Sequence, residues 1–255
     1  MKKKLVLKAL LFGVLIFISF IVSLQFPKIY IPKIFSYKTF NVYSSEKTLV
    51  SEDVVEKLDS VILNIQKSEF YNQGQSFDLF FIKGSFYAKA IKCMGVKNIA
   101  SSKFDTHIYI GEPDFKKGWL VKGDSKLERV NLVQIISHES VHSQMYPNYS
   151  SFGLMQTPSW VNEGYCEYIS YAPKRKQNNQ SICILLQLLE ESEDQWLLTP
   201  YKNYSPRFYI LSRLIIEYLL DVKNYSITTV IENNIEDQDS IYNEIKIWCN
   251  NREHY

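Results

Sequence analysis

The chain has 255 residues, a formal net charge of +2 at pH 7 and an aromatic content of 15%. This composition excludes a disordered chain, and it excludes a protein that is drawn to polyanions by a large basic charge. If an apolar N-terminal segment is set aside, about 225 residues remain, which is enough for one domain with a sizeable core.

The N-terminus combines a positive start with a long apolar run. Three lysines precede Leu5 to Phe26, which is almost wholly apolar and contains a single charged residue, Lys8. The core of this run, Ala9 to Phe26, reaches the roughly 18 residues that span a bilayer, and the flanking charge favours a cytoplasmic N-terminus. A cleaved secretory signal is the alternative, but no small-x-small site ends the run. We expect a transmembrane anchor over residues 1–27, a single-pass cell-membrane location, and an extracytoplasmic domain over residues 28–255.

The first part of this domain alternates helical and strand patterns. Apolar residues at helical spacing predict a helix from Ser51 to Gln66, and an apolar run predicts a strand from Asp78 to Ile82. A short helix is expected from Phe86 to Cys93 and a strand from Thr106 to Ile110. His107 lies in this last strand, and we interpret it as an ordinary exposed or hydrogen-bonded histidine without a metal role.

A metal-binding pattern follows on the next predicted helix, which begins near Leu127. His138, Glu139 and His142 form the sequence H-E-S-V-H, and no Pro or Gly interrupts the helix before Pro147. Positions i and i+4 of a helix lie on one face, so both imidazoles can bind the same ion while the glutamate serves as general base. A catalytic zinc ion needs a third protein ligand and leaves its fourth position to water.

The third ligand has few candidates, because the four histidines stand at positions 107, 138, 142 and 254. The metzincin pattern has a third histidine six residues after the second, and that position here is Asn148. The next predicted helix, from about Trp160 to Tyr171, carries Glu163 and Glu167 on one face. Both carboxylates are therefore candidates.

The remainder of the chain is predicted to be mostly helical. After a polar surface loop over Ala172 to Gln180, helices are expected at about Ser181 to Glu193, Arg207 to Val222, Ile227 to Asn233 and Ser240 to Asn250. Neither a Gly-rich phosphate loop nor a C-x-x-C pair occurs, so nucleotide and nucleic-acid binding gain no support.

The four cysteines stand at positions 93, 166, 183 and 249. One or two disulfides are possible, and unpaired buried thiols are the alternative. We interpret Cys166 as a small core residue, on the expectation that a side chain three residues after Glu163 faces away from it.

Three segments resemble gluzincins, the zinc peptidases that include thermolysin-like and aminopeptidase-like enzymes. They are His138-Glu139-Ser140-Val141-His142, Trp160-Val161-Asn162-Glu163-Gly164-Tyr165, and Tyr209 followed by Tyr218. The resemblance covers residues 127 to 222. It implies an α+β, zincin-like domain with a small N-terminal mixed sheet and a helical C-terminal half.

The resemblance also implies roles for individual residues. Glu163 corresponds to the third zinc ligand of the family, Glu167 to a carboxylate that orients a zinc-binding imidazole, and Tyr209 to the hydrogen-bond donor for the oxyanion. The family's glycine shortly after this tyrosine is replaced by Ser212, and the Gly-x-Met-x-Asn segment of the aminopeptidases is missing. These departures argue against aminopeptidase specificity.

We therefore expect a Zn²⁺-dependent peptidase that acts on a peptide or protein. His138, His142 and Glu163 are expected to bind the ion, with Glu139 as general base. An edge strand in such domains binds extended substrate, and Thr106 to Ile110 is the candidate. Two alternatives remain open: a catalytically silent zincin-like binding domain, and a zinc hydrolase of a non-peptide amide or ester. The sequence does not define an oligomeric state.

Overall fold

A computed structural model describes most of the predicted domain. It covers residues 12–15, 19, 22, 26–45, 51–82, 85–93, 100–103, 106–111, 113–120, 130–172, 180–200, 203–233 and 237–252. Within these ranges the chain is α+β, with a mixed sheet in the N-terminal half and mostly helices in the C-terminal half. This class and division agree with the sequence-based expectation.

The predicted transmembrane helix is wrong. In the part of the chain that the structure describes, no helix combines the length and the apolar character that a membrane crossing requires. A crossing needs about 20 predominantly apolar residues in one helix, and the longest described helix, Leu132–Gln156, carries many polar side chains. Most of the predicted anchor, residues 1–27, lies outside the described residues. The single-pass membrane location depends on this anchor, so that prediction is wrong for the same reason.

The main sheet has five strands in the order β1-β2-β3-β5-β4. The strands are β1 (Lys33–Tyr37), β2 (Phe40–Ser44), β3 (Phe77–Phe81), β4 (Ala100–Lys103) and β5 (His107–Ile110). Strands β2, β3 and β5 are parallel, and β1 and β4 run antiparallel at the two edges. The expected edge strand, Thr106 to Ile110, is therefore an inner strand, because β4 pairs along its outer side.

Both faces of the sheet are apolar. Successive side chains of a strand point to opposite faces, and here they enter two separate hydrophobic clusters. Val42, Leu79 and Ile108 belong to the main core, which they share with the apolar residues of helix α1 (Ser51–Ile65). On the other face the Tyr43 and Phe80 rings stack with centroids 4.6 Å apart. Tyr87 of helix α2 (Phe86–Cys93) belongs to this aromatic cluster, as does Ile31, which follows the 3₁₀ turn Pro27–Ile29.

In the described part of the chain, six helices follow the sheet. They are α3 (Leu132–Gln156), α4 (Ser159–Ser170), α5 (Gln180–Glu191), α6 (Arg207–Asp221), α7 (Ile227–Glu232) and α8 (Gln238–Asn250). Short strands connect them: β6 (Pro113–Asp114), β7 (Trp119–Leu120) and β8 (Val130–Asn131) precede α3, and the hairpin of β9 (Trp196–Leu198) and β10 (Tyr204–Pro206) precedes α6. The predicted start of α3 near residue 127 and the predicted loop over residues 173–179 lie outside the described residues.

Helix α3 continues through Pro147 for two further turns. Proline has no N–H, so the carbonyl of Ser143, four residues earlier, loses its helical partner. The Gln75 side chain compensates, because its Nε2 donates a hydrogen bond to Ser143 O at 2.8 Å.

Two features hold the helical layer together. A disulfide joins Cys183 of α5 to Cys249 of α8 across 66 residues of sequence, whereas Cys166 is a free, buried thiol. Asn64 of α1 donates through Nδ2 to Ser137 Oγ at 3.0 Å and to Ser170 O at 3.2 Å. These two bonds link α1 to α3 and to α4, the helices that carry the predicted site.

Candidate metal centre

Helix α3 presents its two histidines on a well-anchored turn. Asn131 Oδ1 accepts a hydrogen bond from the N–H of Gln134 at 3.2 Å, as a helix-capping side chain does. Ile136, Val141 and Met145 are fully buried, so the apolar face of the helix is fixed in the core. One turn separates His138 from His142, and both rings project towards α4.

Three donor atoms converge between α3 and α4. His138 Nε2 lies 3.0 Å from Glu163 Oε2, and His142 Nε2 lies 3.5 Å from the same oxygen. The two Nε2 atoms are 3.2 Å apart. Ligands at ordinary zinc bond lengths and tetrahedral angles stand about 3.3 Å from each other. The separations of these three donors therefore fit a single tetrahedral divalent ion.

Glu167 lies behind this group. Its Oε1 is 3.0 Å from His138 Nδ1, at ion-pair distance, and Nδ1 has no other polar partner among the described residues. A carboxylate in this position holds the imidazole so that Nε2 is directed at the other donors. Glu163 and Glu167 are one turn apart on α4, which is why each can approach a different nitrogen of the same ring.

The two carboxylates also set the charge of the histidine. Burial by itself lowers the pKa of His138, but Glu163 and Glu167 outweigh burial and hold that pKa well above its usual range. Burial raises the pKa of Glu163, and the opposing hydrogen bonds with His138 and His142 bring it far below its usual range. Both shifts favour the charged forms, an imidazolium at His138 and a carboxylate at Glu163. A divalent cation would replace the imidazolium proton.

Tyr209 reaches the group from α6 because α6 packs unusually close to α4. A Cβ added at Gly164 would stand 2.5 Å from the backbone oxygen of Ser212, so only glycine permits this approach. The Tyr209 ring stacks on the His138 ring with centroids 5.5 Å apart. Burial, followed by the negative charges of Glu163 and Glu167, raises the pKa of Tyr209, so its hydroxyl remains a donor at neutral pH.

Glu139 is almost fully buried beside His138. Its negative charge raises the pKa of both Tyr209 and Cys166, in addition to the effect of burial on each. Its carboxylate therefore acts electrostatically on the same group of side chains.

Sequence reasoning missed the position of Cys166. Its sulfur and one ring nitrogen from each of His138 and His142 all lie within 4.8 Å of one another. The expectation that Cys166 faces away from Glu163 is wrong, because three residues advance a helix by 300°, which leaves the two side chains about 60° apart. The i, i+3 spacing was the signal that could have revealed it.

His107 belongs to a different cluster. It lies on β5, where its Nε2 is 3.4 Å from Asp78 Oδ2. Lys28 Nζ binds the same Asp78 oxygen at 2.8 Å, and Asn41 Nδ2 donates to the other oxygen at 3.2 Å. This cluster joins the 3₁₀ turn region to the sheet.

Comparison with known protein families, with curated proteins and with solved structures found no match for this chain. The described residues do contain a group that could hold a metal ion, built on His138, His142 and Cys166, and Glu163 lies against the two histidines of that group.

Proposed function

We propose that the protein is a zinc-dependent peptidase of the gluzincin type. The observation that carries this proposal is the convergence of His138 Nε2, His142 Nε2 and Glu163 Oε2 at mutual distances of 3.0 to 3.5 Å. Two imidazoles and one carboxylate form a donor set of catalytic zinc sites, and structural sites usually use more sulfur. When bound there, zinc supplies Lewis acidity to a substrate carbonyl and makes water acidic at neutral pH.

Glu139 is the general base in this proposal. It follows His138 directly and is held in the same buried, negatively charged environment as Cys166 and Tyr209. Its carboxylate takes a proton from the attacking water and then delivers it to the leaving amine. A glutamate with no proton to transfer would have little reason to be buried beside two metal ligands.

Tyr209 and Glu167 assist from opposite sides. The Tyr209 hydroxyl donates a hydrogen bond to the carbonyl oxygen as negative charge develops on it. The Glu167 carboxylate, at ion-pair distance from His138 Nδ1, keeps Nε2 aligned while the charge at the site changes. Close packing at Gly164 sets the distance between α4, which carries Glu167, and α6, which carries Tyr209.

A peptide substrate has a matching surface at the edge of the sheet. Strand β4 is the outer strand, and it packs close to the active-site helix α3. In this proposal, its outward backbone groups pair with an extended peptide that runs beside α3. This geometry favours a peptide over a small ester, and it moves the substrate strand from Thr106–Ile110 to Ala100–Lys103.

The test is the Glu139→Gln variant of the full chain, assayed against a peptide library by mass spectrometry. We expect zinc content to stay at wild-type level while cleavage falls by about 100-fold or more. The matched control is Glu193→Gln, which removes an exposed carboxylate beyond α5 and should cleave normally. Undiminished cleavage by Glu139→Gln would rule out the mechanism. A zinc-loaded wild type that cleaves nothing would favour the silent-domain alternative.

A further inference from the structure

Cys166 is the one feature of the metal centre that the proposed peptidase mechanism does not use. It is fully buried and reduced, unlike Cys183 and Cys249, which are joined to each other. Its sulfur belongs to the same 4.8 Å group as the nitrogens of His138 and His142. A thiolate is also the donor that zinc uses most in sites without an open position.

The distances leave room for the sulfur as a fourth donor. A sulfur and an imidazole nitrogen on one tetrahedral zinc ion stand about 3.6 Å apart. The donor atoms of His138, His142 and Cys166 all lie within 4.8 Å of one another, a range that includes this separation. Glu163 and Cys166 lie on neighbouring faces of one helical turn, so both can approach an ion held against α3.

We infer that Cys166 is a reversible fourth metal ligand that closes the site when no substrate is bound. This inference rests on the proposed function, because it concerns regulation of the same ion. In the closed state a metal–sulfur bond replaces a metal–water bond, and the thiol proton is released to solvent. The exchange needs no oxidant or reductant. Substrate or water displaces the sulfur, which takes back a proton and returns to its buried thiol form.

The closed state would explain two opposing features in one site. Glu139 and Tyr209 are arranged for chemistry at an open position, whereas Cys166 supplies the kind of donor that closes one. A protein with both arrangements would hold its ion firmly at rest and hydrolyse only when substrate competes with the sulfur. The apparent affinity for any ligand of the open site is then reduced by the fraction of molecules that are open.

The experiment is cobalt substitution of the full-length chain, followed by absorption spectroscopy. Cobalt(II) bound through a thiolate gives a sulfur-to-metal charge-transfer band in the near ultraviolet, and cobalt bound only by nitrogen and oxygen does not. We expect the band in the wild type and its loss in Cys166→Ser and Cys166→Ala, with cobalt content unchanged. The alanine variant provides a second readout if serine disturbs the core.

A hydroxamate inhibitor provides an independent measurement. If the closed form makes up about 90% of the molecules, we expect Cys166→Ala to bind the hydroxamate about tenfold more tightly than the wild type. A wild-type cobalt protein without the charge-transfer band would overturn the inference, even if Glu139→Gln behaves as proposed. The reverse result, a band in a protein that cleaves no peptide, would leave Cys166 as a ligand and reject the peptidase.

Discussion

The described part of the chain contains two clusters in which histidine pairs with carboxylate, and they differ in what balances their charge. At the sheet, Asp78 is bound by Lys28, His107 and Asn41, so a fixed cation neutralises it. Between α3 and α4, the ion-pair partners of Glu163 and Glu167 in the described part of the chain are His138 and His142, with no lysine or arginine among them. The charge of the first cluster is therefore balanced by side chains of the protein itself. With Glu139 included, the second cluster has three carboxylates beside two histidines, and it is suited to an added cation.

Gly164→Ala should disturb the second cluster alone, and it should have the largest effect on stability. The new methyl group meets the Ser212 backbone, which cannot move as a side-chain tip can. We expect a loss of about 3 kcal/mol in the free energy of unfolding, measured by urea titration. Peptide cleavage should fall further than stability predicts, because Tyr209 moves away with α6. Wild-type stability in this variant would show that the two helices are not in close contact.

Glu167→Gln should weaken metal binding without removing a ligand. Loss of the negative charge at His138 Nδ1 should reduce zinc affinity by about 10- to 100-fold, measured by competition with a chromophoric chelator. The control is again Glu193→Gln, whose affinity should match that of the wild type. Equal affinities in all three proteins would mean that Glu167 does not orient His138.

Asp78→Asn should affect stability but leave zinc affinity unchanged. Burial raises the pKa of Asp78, but hydrogen bonds from His107 and Lys28 outweigh it and hold that pKa well below its usual range. A lowered pKa in the folded state stabilises the protein above the unfolded-state value of about 3.9, and this contribution is lost as the pH falls below it. We expect a loss of about 1.5 kcal/mol at pH 7.

Measurements of stability at acid pH test the prediction for Asp78→Asn. The stability difference between wild type and Asp78→Asn should be constant from pH 7 down to about pH 5 and should shrink below about pH 4. Urea titrations at both ends of this range measure it. A difference that stays the same at low pH would show that the Asp78 carboxylate is not stabilised in the folded protein.

Lys28→Met should have the smallest effect. The side chain of Lys28 is 51% exposed, so solvent screens its ion pair with Asp78. We expect a loss of about 0.5 kcal/mol in the free energy of unfolding. A loss as large as that of Asp78→Asn would mean that the lysine, rather than His107, carries the stability of the sheet cluster.

The sequence predicted the long helices well and the sheet edges poorly. Helices such as α1 and α6 have apolar residues at a regular spacing of three and four, which the sequence displays directly. Strand β4 is Ala-Ser-Ser-Lys and has no such pattern, so only its pairing with β5 defines it. The N-terminal apolar run was read as a membrane span by composition alone, and the described residues contain no helix that fits that reading.

The sequence likewise predicted some features of the site and left others open. The i, i+4 spacing predicts that His138 pairs with His142 and that Glu163 shares a face with Glu167, and the structure brings these four side chains together. Which carboxylate approaches Nε2 and which approaches Nδ1 depends on how α4 packs against α3, and the residues alone left that choice open. The stacking of Tyr209 on His138 likewise depends on the close approach at Gly164.

The most direct test of this account is the zinc content of the full-length chain after dialysis against a zinc buffer, measured by mass spectrometry. We predict one zinc ion per chain in the wild type and in Asp78→Asn, and almost none in His142→Ala at the same free zinc concentration. A wild type that binds no zinc, or a His142→Ala variant that binds as much as the wild type, would contradict the proposed metal centre.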